Sequence, residues 1–151
     1  MYRNILVPVD GSETSTSGLL EAIKLAQVGS ARLKLVNVVN TAVVAMEYAA
    51  AFAELEDLPQ RMREEGEAVL KRAQEVVRQN GLQAEVLLLG TTIDDVGELI
   101  VNQAKEWPAD VIVMGTHGRR GLARLVLGSI AEYVLRHTPV PVLLVRKQPE
   151  G

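Results

Sequence analysis

Short apolar runs of strand length, rich in β-branched residues or leucine, recur along the chain at residues 5–9, 33–39, 84–89, 110–114 and from Pro141 to Val145. The first, fourth and fifth are apolar without alternation, the pattern of a parallel strand buried on both faces; yet no later segment covers the outer edge of the fifth, which either pairs with the same strand of a second copy or is blunted by the charged tail Arg146, Lys147 and Glu150. The second begins with the alternation Arg32-Leu33-Lys34-Leu35, which predicts a position nearer an edge. Pro8 cannot donate to a ladder, so it belongs at the carboxyl end of the first strand. Between these runs the period changes to that of a helix. Leu19, Ala22, Ile23 and Ala26 share one face. Met62, Val69, Ala73, Val76 and Val77 share another between residues 61 and 80, with Gly81 as a C-terminal stop. Ile93, Val96, Leu99, Ile100 and Ala104 form a third, with Thr92 and Asp94 available as N-caps. A fourth segment, 130–137, opens on Ser129 and Glu132 at capping-box spacing.

Strand and helix alternate four times, which predicts an α/β fold: one domain, a doubly wound five-stranded parallel sheet with helices on both faces. The domain is expected over residues 1–147, with 148–151 as a short tail. Residues 41–59, containing Val43-Val44-Ala45-Met46 and Tyr48 to Phe52, are too long for a minimal connection and read as a partly helical insertion after the second strand.

Composition narrows the chemistry. The chain has 151 residues, 48% hydrophobic, and no cysteine, so a core can form without disulfides, and thiolate metal sites and cysteine nucleophiles are excluded. A net charge of −3, from 16 basic and 19 acidic side chains, gives no footprint for a nucleic-acid backbone. No run approaches the roughly 18 apolar residues of a membrane span. The expectation is a soluble cytoplasmic protein with neither nucleic acid nor membrane as partner.

In open parallel sheets, ligands bind beyond the carboxyl ends of the strands, where the strand order reverses. Three of those ends carry small polar turns: Val9-Asp10-Gly11-Ser12, Leu89-Gly90-Thr91-Thr92 and Met114-Gly115-Thr116-His117-Gly118. The last continues through Arg119-Arg120-Gly121 to Gly128-Ser129 and the fourth helix. Glycines let backbone approach an anion, and a helix N-terminus favours negative charge. Three arginines and no carboxylate lie between Gly115 and Gly128, so this stretch is positive on an acidic protein. Phosphate is the ligand this chemistry suits.

The spacing Gly115-x2-Gly118-x9-Gly128-Ser129 resembles the universal stress protein family. So do the opening, from Ile5 to Ser12, and the ending, from Pro139 to Val145, and the similarity runs over essentially the whole chain. In ATP-binding members this glycine element holds the triphosphate and ribose. The resemblance implies a Rossmann-like fold of the adenine nucleotide alpha hydrolase type. It implies ATP as ligand, with magnesium left open, and a nucleotide-dependent regulatory role in a homodimer paired through the last strand. Site residues carried over are Gly115, Gly118, Gly128, Ser129 and the amide of Ile130 for phosphates. Pro8, Val9, Asp10 and Val38 border adenine and ribose, Met114 contributes its backbone, and His117 and Arg119 lie in the phosphate loop. Ala131 stands where the family often has a hydroxyl, so one phosphate or magnesium contact is missing.

Two roles stay open for individual residues. Asp10 suits a ribose hydroxyl or a metal-bound water, and equally a turn ahead of Ser12. His117 could donate to phosphate or be fixed by a backbone carbonyl. No P-loop lysine, paired carboxylates, Ser/His/Asp arrangement or metal-ligand spacing occurs. The chain is therefore read as a binding module with an unnamed protein partner. The alternative is a slow ATPase or nucleotidyl-transfer enzyme using Asp10 or His117 in the same crevice.

Overall fold

The computed structural model describes residues 1–42, 57–117 and 127–147. Among these residues the elements follow in the order β1 (Asn4–Pro8), α1 (Glu13–Gly29), β2 (Arg32–Asn40), α2 (Leu58–Gln79), β3 (Ala84–Thr91), α3 (Val96–Glu106), β4 (Val111–Gly115), α4 (Ser129–His137) and β5 (Val142–Val145). The sheet has five strands in the order β3-β2-β1-β4-β5, each pairing parallel to its neighbours. The doubly wound α/β fold expected from the alternation is the fold observed.

Side-chain alternation along the strands divides the interior into two layers. Ile5, Val7, Leu35 and Val113 pack against Leu19, Ala22 and Ile23 of α1 and Val69, Ala73 and Val77 of α2. Leu6, Val36, Ile112 and Met114 pack against Ile100, Val101 and Ala104 of α3 and Ala131 and Val134 of α4. Burying each large aliphatic side chain contributes about 1.5–3 kcal/mol, so aliphatic packing suffices without aromatic mass.

Pro8 is the last residue of β1, and the next ladder bond is Val9 N–H to the Val36 carbonyl at 2.8 Å. Gly81 follows α2 at φ +80°, a left-handed conformation that glycine takes without strain. α2 begins at Leu58 with Pro59 in its first turn, so it takes over the end of the stretch read as insertion. Residues 43–56 of that insertion lie outside the described residues, as does the tail from 148 onward.

Several local expectations are corrected. β5 is not buried on both faces, with Leu143 38% exposed, while its place at the edge is the one expected of a last strand that no later segment covers. β2 lies inside the sheet between β1 and β3. Its polar alternation has another cause: Arg32 binds Glu85 at 2.7 Å and, with Lys34, sits 5.5–5.6 Å from the Trp107 ring, whose Nε1 donates to Glu85 at 3.1 Å. Neither Thr92 nor Asp94 caps α3. Its N-cap is Asp95, whose carboxylate takes the Thr91 hydroxyl, and Ile93 is exposed. The capping box on α4 does not form, because the helix starts one residue earlier than the spacing implies. Gly128 is the N-cap, Ser129 is helical, and the Glu132 carboxylate turns to Arg136 at 2.8 Å.

Candidate functional site

From β1 the chain winds outward through β2 to β3, then crosses to the other side of β1 for β4 and β5. The order reverses between β1 and β4, and their carboxyl ends form the crevice where such sheets take ligands. Pro8, Val9, Asp10, Met114, Gly115 and His117 stand at these two ends, and Val38 lies near the end of β2. Val9 must be separated from the others. It is 5% exposed and packs with Ile5 and Val7 on the α1 and α2 face, so only its backbone can border a ligand. Val38 and Met114 pack on the α3 and α4 face, the face of Leu6 and, by alternation, of Pro8.

The turn after β1 is built from its own short side chains. Gly11 adopts φ +84°, a conformation that favours glycine. Asp10 Oδ1 accepts the Ser12 N–H at 2.8 Å, and the Asp10 N–H donates to Ser15 Oγ at 3.0 Å. Ser12 caps α1 by accepting the Ser15 N–H at 3.2 Å. The Val9 carbonyl accepts from Asn37 Nδ2 at 2.8 Å, so a buried amide on β2 satisfies the carbonyl just past the end of β1.

The glycines at the end of β4 are explained first by packing. A Cβ on Gly115 would lie 2.8 Å from the Thr14 carbonyl carbon and Oγ1. One on Gly18 would press against Met114 and Gly115 at 3.3 Å, so α1 lies close on the strand end. Gly128 folds back on the same place: its N–H donates to the Thr116 carbonyl at 2.7 Å, and a Cβ there would lie 3.1 Å from His117 Cα. The point where the chain leaves β4 and the point where it reaches α4 are thus in contact. His117 is half-buried, its Nδ1 is 3.3 Å from Thr116 Oγ1, and its carbonyl accepts from the Thr14 hydroxyl. Gly118 and Arg119 lie outside the described residues. Ser129 and Ile130 are exposed in the first turn of α4, which has no side-chain cap.

Thr14, Gly18 and Asn37 complete this end of the sheet and were missing from the sequence reading. Asn37 carried a signal, a lone amide inside Leu35-Val36-Asn37-Val38-Val39. Thr14 carried none, because a threonine in a first helical turn is ordinary. A cavity of about 690 Å³ lies elsewhere, at the ends of β2 and β3, with Val39, Leu58, Met62, Arg63 and Thr91 among its walls. Among the described residues no group of three or more His, Asp and Glu side chains could hold a metal ion, and no helix is long and apolar enough to cross a membrane.

A parallel sheet wound both ways from β1, with a glycine turn and a helix N-terminus without a side-chain cap meeting at its switch point, defines a doubly wound α/β domain with a candidate ligand crevice there. The chain belongs to the universal stress protein family, whose sequence model matches residues 1–146. It is 33% identical over 148 residues to a universal stress protein of Methanocaldococcus jannaschii, covering 97% of this chain and 84% of that one. A Bacillus subtilis universal stress protein is 30% identical, with 97% and 100% covered. The solved structure of the universal stress protein UspA from Lactobacillus plantarum superposes with a TM-score of 0.81 at 28% identity, covering 96% and 98%. Universal stress proteins solved in complex with cAMP and, from Archaeoglobus fulgidus, with dAMP share the fold at TM-scores of 0.68 and 0.69. They are 22% and 23% identical, with 97% and 95% of this chain covered and 98% of each of theirs.

Proposed function

We propose that this universal stress protein binds ATP at the switch point and acts as a nucleotide-dependent regulatory module, a partner protein reading the surface of residues 115–128 once nucleotide orders it. The observation that carries this reading is the first turn of α4. It has no side-chain cap, Ser129 and Ile130 are exposed there, and Gly128 anchors it to the end of β4. Unsatisfied amides at a helix N-terminus suit phosphate oxygens, and the arginine-bearing, carboxylate-free sequence 115–128 adds positive charge. Val38, half-buried near the end of β2, would offer an aliphatic surface to an adenine ring, Met114 is buried and would contribute its backbone, and Asp10 would take a ribose hydroxyl. Adenine nucleotides in two structures of the same fold point the same way.

ATP would supply a triphosphate whose charge the Ser129 and Ile130 amides and the arginine stretch offset. Magnesium, the homodimer and a cytoplasmic location belong to the same reading. Isothermal calorimetry with ATP and magnesium is the test, and saturable heat is expected. Gly118→Val should abolish it while leaving the circular dichroism unchanged. No heat at millimolar nucleotide would sink the reading, and a Gly118→Val protein that binds normally would move the phosphate site elsewhere. Mass spectrometry of small molecules released from the purified protein should find an adenine nucleotide.

A further inference from the structure

The buried Thr14 hydroxyl stands between two parts of the site that are remote in sequence. Thr14 is 2% exposed and fills the space that the missing Cβ of Gly115 leaves. Its Oγ1 donates to the His117 carbonyl, the last described residue before the glycine-rich stretch. That donation fixes the direction of the neighbouring bonds. Ser12 Oγ already accepts the Ser15 N–H, and it lies 3.4 Å from Thr14 Oγ1. Since the Thr14 proton is committed to a carbonyl, Ser12 must be the donor between the two hydroxyls. The result is one directed chain: Ser15 N–H to Ser12 Oγ, Ser12 O–H to Thr14 Oγ1, Thr14 O–H to the His117 carbonyl. Such chains polarise one another, and each link holds the next in a single orientation. Asp10 is tied to the same chain through the Ser12 N–H and Ser15 Oγ.

From this geometry we infer that Thr14 is a positioning residue for nucleotide binding: its hydroxyl fixes the end of β4 at His117 and, through Gly128, the first turn of α4 that would receive the phosphates. The inference rests on the ATP-binding reading above. Thr14 is buried beneath the end of β4. It acts through His117, and Gly128 then stacks on the fixed His117 and Thr116 with the 2.7 Å bond to the Thr116 carbonyl. The first turn of α4, with its free amides, is held in place by this stack.

Thr14→Val keeps the shape and removes the hydroxyl, whereas Thr14→Ser keeps the hydroxyl. In the nucleotide-free protein, exchange of the Gly128 amide should speed up about tenfold in Thr14→Val and return to the wild-type rate in Thr14→Ser. By calorimetry Thr14→Val should weaken ATP binding about tenfold and leave adenosine binding unchanged, because only the phosphate half depends on the brace. Thr14→Ser should restore ATP binding. If Thr14→Val does not fold, Thr14→Ala carries the same measurements. Unchanged ATP affinity in the hydroxyl-free variant overturns the inference, as does an equal loss for ATP and adenosine. Failure of the underlying reading looks different: the wild-type protein then gives no heat with ATP at all.

Discussion

Asn37 is a buried amide at the centre of the sheet, and its surroundings account for it. The Val9 carbonyl at the end of β1 takes its Nδ2 at 2.8 Å, and α2 leaves room for its Oδ1 only because residue 66 is glycine. A Cβ on Gly66 would lie 2.7 Å from that oxygen. Asn37 and Gly66 are therefore one feature seen from two elements. Truncating Asn37 strands the Val9 carbonyl in the interior, and a buried polar group left unsatisfied costs about 1–3 kcal/mol. Asn37→Ala should lower the denaturation midpoint accordingly with an unchanged slope in urea. A midpoint equal to wild type would mean that the carbonyl finds another donor. Of this pairing, sequence showed only a polar residue in an apolar run. The contact between Asn37 and Gly66 is made by folding, across 29 residues, and nothing local in Glu65-Gly66-Glu67 announces it.

At the scale of elements, the amino end of the sheet is held by Asp110, one residue before β4. Its Oδ2 accepts the backbone N–H groups of Arg3 and Asn4 at 2.8 Å each, joining β4 to the start of β1. Those two amides, Arg3 first, hold its carboxyl below the ordinary aspartate value of 3.8. A carboxyl depressed by folding adds stability at pH above the unfolded value, and that contribution disappears as pH falls through the lower folded value. Asp110→Asn should therefore narrow the difference in melting temperature between neutral pH and pH below 4. A variant whose melting temperature falls with acid as steeply as the wild type would place the acid sensitivity in other carboxylates. Strands and helix faces were legible because periodicity is local: Leu19, Ala22, Ile23 and Ala26 are one face in sequence and in the fold. Helix starts were less legible. Ser129 and Glu132 have the spacing of a capping box, but Gly128 is drawn against Thr116 by a contact the local sequence does not encode, and the first turn of α4 shifts with it.

For the whole molecule, the remaining question is the open edge of β5. The Pro141 and Val145 carbonyls accept from Ile112 and Thr116, so the odd-numbered residues turn their backbone toward β4. By alternation the N–H and C=O groups of Val142 and Leu144 face outward, and among the described residues no strand pairs with them. The edge is short, and its four residues are Val-Leu-Leu-Val, with neither charge nor proline among them, the charges of Arg146 and Lys147 coming only after the strand. Pairing with β5 of a second copy would satisfy the outward groups and cover Leu143, and this is the homodimer proposed above. In a two-fold arrangement the strands run antiparallel, and a lysine at position 143 would bring like charges close together across the axis. Wild-type protein should sediment at twice its 16.4 kDa mass. Leu143→Lys should sediment as a monomer with its circular dichroism retained, because Leu143 is partly exposed rather than a core residue. A Leu143→Lys protein that remains dimeric would put the interface on another face. A wild-type monomer would leave Val142 and Leu144 to water, and the regulatory surface would then have to be read from one chain.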